Sequence, residues 1–172
     1  MTFTDSAIVA GIVFVAVLLQ ATIFASLDVL GGTPDVLLLA LLGIALLRGA
    51  VTGAVAGFCG GLLLDIVTLD TLGVTALVLA VAGYWTGRYG ETTGRDRAHA
   101  PLLSIAVITV LYQISALVLR YMLGEPAPAH HIFAALGPTV FLNLILTVPV
   151  YALTRRLLRP QEWVTREVRL LG

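Results

Sequence analysis

Six apolar runs punctuate this chain, and their lengths decide what it can fold into. They cover residues 7–27, 34–47, 50–67, 72–86, 101–123 and 132–154. About 20 mostly apolar residues carry a helix, at ~1.5 Å per residue, across a hydrocarbon layer of ~30 Å. Backbone polar groups cannot stay unpaired in lipid, so such runs must be helices rather than open strands. The period-two alternation of a membrane β-barrel is absent. The expected fold is an all-α integral membrane protein, a bundle of six transmembrane helices, or of five if the first run is dropped. The run over 34–47 reaches only ~21 Å as a helix. It reads either as a short span or as half of a re-entrant hairpin with the next run.

Composition agrees. The chain is 59% hydrophobic and 12% charged, with a mean hydropathy of +1.00, where a soluble domain carries about 25% charged residues. The formal net charge is zero, so there is no electrostatic footprint for nucleic acid. A single cysteine, Cys59, excludes an internal disulfide and a thiolate metal cluster. The amino terminus lacks the basic segment of a secretory signal, and the first run reads as a retained span.

Charge placement orients the bundle. With six spans and a cytoplasmic amino terminus, Arg48, Arg88, Arg95, Arg97, Arg155, Arg156, Arg159, Arg166 and Arg169 fall inside. Arg120 alone falls outside, as the positive-inside rule asks. Both termini are thus expected in the cytoplasm. Residues 1–154 form the bundle. Residues 155–172 form a basic tail, in which arginines alternate with Leu157, Leu158, Trp163, Val164 and Val168. The tail reads as an amphipathic segment on the cytoplasmic face, or as a frayed end that enforces topology.

The most ordered pattern is glycine spacing. Gly49, Gly53, Gly57 and Gly61 recur every four residues, with Gly60 beside them, and Gly83 and Gly87 repeat the device. On a helix this is a bare stripe, which lets another helix approach closely. The second helix belongs either to the same bundle or to a partner. Asp65 ends the glycine run. A carboxylate within the membrane is costly and therefore a candidate functional group, or else it is a wetted rim residue marking the helix end. Gln113 and Asn143 lie mid-run, and Thr139, Asn143, Thr147 and Tyr151 recur at steps of four. With Tyr84 they are candidates to line a polar cavity, or they make interhelical hydrogen bonds worth ~0.6 kcal/mol each. Gln20 has the second use. His130-His131 lack a third ligand at metal-binding spacing. No HExxH, Walker lysine or GxSxG motif occurs, and Ser104 and Ser115 have no partner that the sequence identifies. Neither an enzyme activity nor a cofactor is expected.

Over residues 34–88 the chain resembles the bacterial rod shape-determining MreD family. The resemblance rests on Pro34-Asp35-Val36-Leu37-Leu38, Leu46-Leu47-Arg48-Gly49, the glycine helix from Gly53 that ends in Leu64-Asp65, Leu72-Gly73-Val74, and Gly83-Tyr84-Trp85-Thr86-Gly87-Arg88. It implies a non-enzymatic member of the cell-elongation machinery, working beside MreC, MreB filaments, RodA and a class B penicillin-binding protein. It also implies a fold like the substrate-binding S-components of energy-coupling-factor transporters. The glycine faces with Asp65 and Arg88 then pack helices or dock a partner. The competing expectation is a small-molecule binder of the S-component type, using Asp65, Tyr84, Gln113 and Asn143. A membrane enzyme would need Asp65 and Arg48 or Arg88 in one site.

Overall fold

The computed structural model describes residues 3–27, 29, 31–93, 100–124 and 129–158. Among them six α-helices follow in order: α1 (Phe3–Thr22), α2 (Val36–Arg48), α3 (Ala50–Thr68), α4 (Val74–Thr93), α5 (Ala100–Met122) and α6 (Ala129–Leu158). A 3-10 turn, Phe24–Ser26, and an isolated bridge between Val29 and Gly32 lie between α1 and α2. The tail from residue 159 onward lies outside the described residues, as do Arg95 and Arg97. Arg155 and Arg156 belong to the last turn of α6, which continues past the expected end of the bundle.

The short apolar run becomes the centre of the molecule. Every residue from Val36 to Leu46 is buried, and α2 packs against all five other helices. Composition permits this. A helix apolar on all sides strands no polar side chain when other helices surround it. Lipid would accept the same sides, so composition alone does not require the enclosure.

Gly49 makes the junction of α2 and α3 a single residue. It sits at φ 93°, its N–H bonds the Ala45 carbonyl at 2.8 Å, and α3 begins at the next residue. Only glycine adopts this conformation without strain, which is why the chain can reverse there without a loop.

The glycine stripe of α3 faces α4, and these two helices form the most extensive pairing in the molecule. A Cβ placed on Gly53 would stand 2.5 Å from the Gly83 carbonyl oxygen, and one on Gly61 would stand 2.5 Å from Ala76 Cα. Gly57 lies against the Leu79 carbonyl and Gly87 against the backbone of Ala50. The two backbones touch with no side chain between them, so the seam is held by van der Waals contact. Gly60 points elsewhere, toward Val13 of α1 and Leu37 of α2. The stripe is thus closed by a helix of the same chain.

Among the described residues three helices are long and apolar enough to cross a membrane by length and composition, over Asp5–Thr22, Ala50–Thr68 and Ala135–Leu158. Shorter apolar stretches cover Val36–Arg48 and Ile105–Leu119. The second half of α4, from Gly83 through Gly90, interleaves glycines with Tyr84, Trp85, Arg88 and Tyr89 and is less apolar. The faces turned away from the bundle remain apolar, with Phe14, Val51, Val55, Phe58, Val81 and Phe141 all exposed.

Candidate functional site

The polar side chains of this apolar bundle gather at the two ends of α2. A helix leaves its first N–H groups without intrahelical partners, and burial makes those orphans expensive. Here neighbouring helices supply the acceptors. Asp35 caps its own helix by accepting the Leu38 N–H at 3.0 Å. From α1, Gln20 Oε1 accepts the Val36 N–H at 2.8 Å, while its Nε2 donates to the Pro34 carbonyl at 3.3 Å. From α6, Asn143 Oδ1 accepts the Asp35 N–H at 2.9 Å, and its Nδ2 donates to Thr109 Oγ1 of α5 at 3.2 Å. Asn143 is fully buried. One amide therefore ties α6 to both α2 and α5.

This geometry answers how the polar residues singled out in the sequence are used. Both polar ends of the Asn143 side chain are engaged by helices of this chain. Thr147 donates to the Asn143 backbone carbonyl at 2.6 Å, one turn back along the same helix. Tyr84 faces outward with its ring edge-on to Trp85, the centroids 6.0 Å apart. Gln113 is half-buried on α5, one turn beyond Thr109. Asn143 and Thr147 are thus buried inside the bundle while Tyr84 is exposed. Thr139 is buried beside them, its hydroxyl without a hydrogen-bond partner.

The opposite end of α2 is charged. Arg48 Nη2 lies 2.9 Å from Asp5 Oδ1 and donates to the Leu158 carbonyl at 2.7 Å, so one guanidinium links α2 to the start of α1 and the end of α6. Its side chain is 10% exposed and that of Asp5 14%, dry enough for the pair to be coupled strongly. Beside it, Glu91 Oε1 accepts the Ala50 N–H, the first of α3, at 2.9 Å. Glu91 Oε2 accepts from Arg88 Nη1 at 3.3 Å. Arg88 itself is exposed and stands on the outside of the bundle.

Asp65 corrects an expectation. It is not a wetted rim residue, because it is 1% exposed. Its Oδ2 accepts the Gly73 N–H at 2.8 Å, and its backbone carbonyl accepts the Asp70 N–H at 3.1 Å. The side chain therefore closes the α3–α4 turn and sets the register in which the glycine seam meets. Its Oδ1 has no partner. Arg48 and Arg88 lie at the other end of this helix pair, ~22 Å of α3 away. The constellation that a membrane enzyme would need is not assembled.

Gln20, Asp5, Thr109 and Glu91 are the members of these networks that sequence reasoning missed or left in the background. Their cross-helix partners stand 14 to 43 residues away along the chain, and of their contacts only the Arg88–Glu91 pair, three residues apart, has a local spacing. Among the described residues no group of three His, Cys, Asp or Glu side chains could hold a metal, and Cys59 is exposed on the outer face of α3. His130 and His131 fall in the first turn of α6; their side chains and that of Arg120 lie outside what the structure describes.

Neither a curated protein nor a solved structure matches the chain. The family model for the rod shape-determining protein MreD matches residues 2–160, nearly the whole length, including both polar ends of α2 and the glycine seam. The chain belongs to the MreD family.

Proposed function

We propose that this chain is a non-enzymatic membrane scaffold of the cell-elongation machinery, docking MreC and, through it, MreB, RodA and a class B penicillin-binding protein. Family membership supports a role in rod-shape determination. The observation that carries the scaffold reading is the use made of the polar groups. Gln20, Asp35, Asn143, Arg48 and Glu91 pair with backbone or side chains of the same bundle. They stabilise an enclosed helix and present no convergent set of reactive groups. In this reading the bundle crosses the cytoplasmic membrane six times with both termini inside, and α2 completes its short crossing within the protein.

Because α4 already occupies the glycine stripe, a partner's helices meet the outer faces. The face of α3 carrying Val51, Val55, Phe58 and Cys59 is apolar and continuous. The test is photo-crosslinking from Val55 and Phe58 in native membranes. An MreC adduct from these positions, absent when the probe replaces Ala56 on the buried face, supports the proposal. Equal adducts from every position, or none to any elongation protein, would overturn it.

A further inference from the structure

A groove of about 330 Å³ runs between α4 and α5 on the outside of the bundle, apart from both ends of α2. Its floor is made by Val78, Ala82 and Ile108, all buried, and its walls by Val81, Trp85 and Leu111, all exposed. Tyr112 and Ser115 also line it. It opens sideways, toward the surface that the apolar outer residues present. An alkyl chain is narrow enough to follow a long apolar slot of this kind, and the lining is almost wholly apolar. Along α4 the lining runs from Leu77 to Trp85, a length of roughly 12 Å.

The end of the slot is charged. Val81, Trp85 and Arg88 stand three or four residues apart and share one face of α4, so the guanidinium continues the line of the groove beyond Trp85. Arg88 is exposed, with only a 3.3 Å contact from one nitrogen to Glu91, and a guanidinium carries five N–H donors. An indole beside a cation at the end of an apolar slot is the arrangement that meets a lipid at the level of its headgroup.

We propose that the α4–α5 groove binds one acyl chain of a bilayer phospholipid, whose phosphate is held by Arg88 beside Trp85. The lipid then fills the cleft where α4 and α5 stand apart, and it is a fixed part of the folded bundle.

The test uses the full chain carrying Trp163→Phe, so that Trp85 is the remaining tryptophan, purified in a mild detergent. Phosphatidylglycerol brominated on its acyl chains is titrated against Trp85 fluorescence. Saturable quenching at one lipid per protein is expected, because bromine must sit against the indole. Arg88→Gln should weaken the apparent affinity about tenfold, the loss expected of one charge-assisted hydrogen bond. Ala82→Phe, which fills the floor, should abolish saturation. Circular dichroism melting checks that each variant is folded, and Arg88→Gln alters only an exposed side chain if Ala82→Phe fails to fold. Quenching that rises linearly with lipid, or that matches a brominated fatty alcohol lacking phosphate, would overturn the proposal. So would equal binding by the Arg88→Gln protein.

Discussion

Asn143 is the residue whose loss should be felt most widely, because one buried amide serves three helices. Asn143→Leu would leave the Asp35 N–H and the Thr109 hydroxyl without their partner. Stranding a buried donor costs about 1–3 kcal/mol, more than the ~1 kcal/mol of an average hydrogen bond. The expected outcome is a folded but less stable bundle, read as a lower midpoint in thermal unfolding in detergent. Arg48 and Asp5 give a sharper comparison. Arg48→Gln removes the ion pair to Asp5 and the charged donor to the Leu158 carbonyl, whereas Asp5→Asn keeps a hydrogen-bond acceptor for Arg48. Removing one partner of a buried pair costs up to ~3–5 kcal/mol. Arg48→Gln should therefore destabilise clearly more than Asp5→Asn, and equal melting of the two variants would show that the pair is solvated. Little of this was legible in the sequence. Asn143 was visible as a polar residue in an apolar run, but its partner Asp35 is 108 residues away, so the spacing could not separate a cavity wall from a bundle tie. Arg48 read as a topological charge because its partners come from the two ends of the chain.

The elements were read more successfully than their contacts. All six runs correspond to helices, because apolar length is a local property of sequence. The enclosure of α2 was not legible in the sequence, because α1 and α3 are apolar as well and yet turn Phe14, Val51 and Val55 outward. The glycine stripe announced a close helix pair without naming the second helix. The answer lay in the matching stripe Gly83–Gly87 together with the turn held by Asp65, which fixes how the two helices align. The seam makes a discriminating prediction. Gly57→Ala places a methyl group against the Leu79 backbone, which cannot move aside, and should cost about 2 kcal/mol. Gly11→Ala meets nothing within 4 Å and should be neutral or gain up to ~1 kcal/mol from helix propensity. Paired melts of the two variants check this. Equal effects would mean that α3 and α4 do not pack backbone to backbone.

At the scale of the whole molecule, the bundle is organised around one enclosed helix whose two ends are tied by the helices around it. Gln20, Asp35, Asn143, Arg48 and Glu91 serve that construction, and large apolar side chains such as Phe14, Val55 and Phe141 face outward. Both features fit the proposed membrane scaffold, and family membership supports a role in rod-shape determination. The most direct measurement is affinity purification of the tagged protein from its native membrane in mild detergent, with quantitative mass spectrometry of what accompanies it. The account predicts recovery of MreC together with RodA or a penicillin-binding protein, and loss of that recovery when Gly57→Leu opens the α3–α4 seam. Recovery of a transporter's ATPase pair and coupling subunit instead would contradict it and identify a substrate-capture protein.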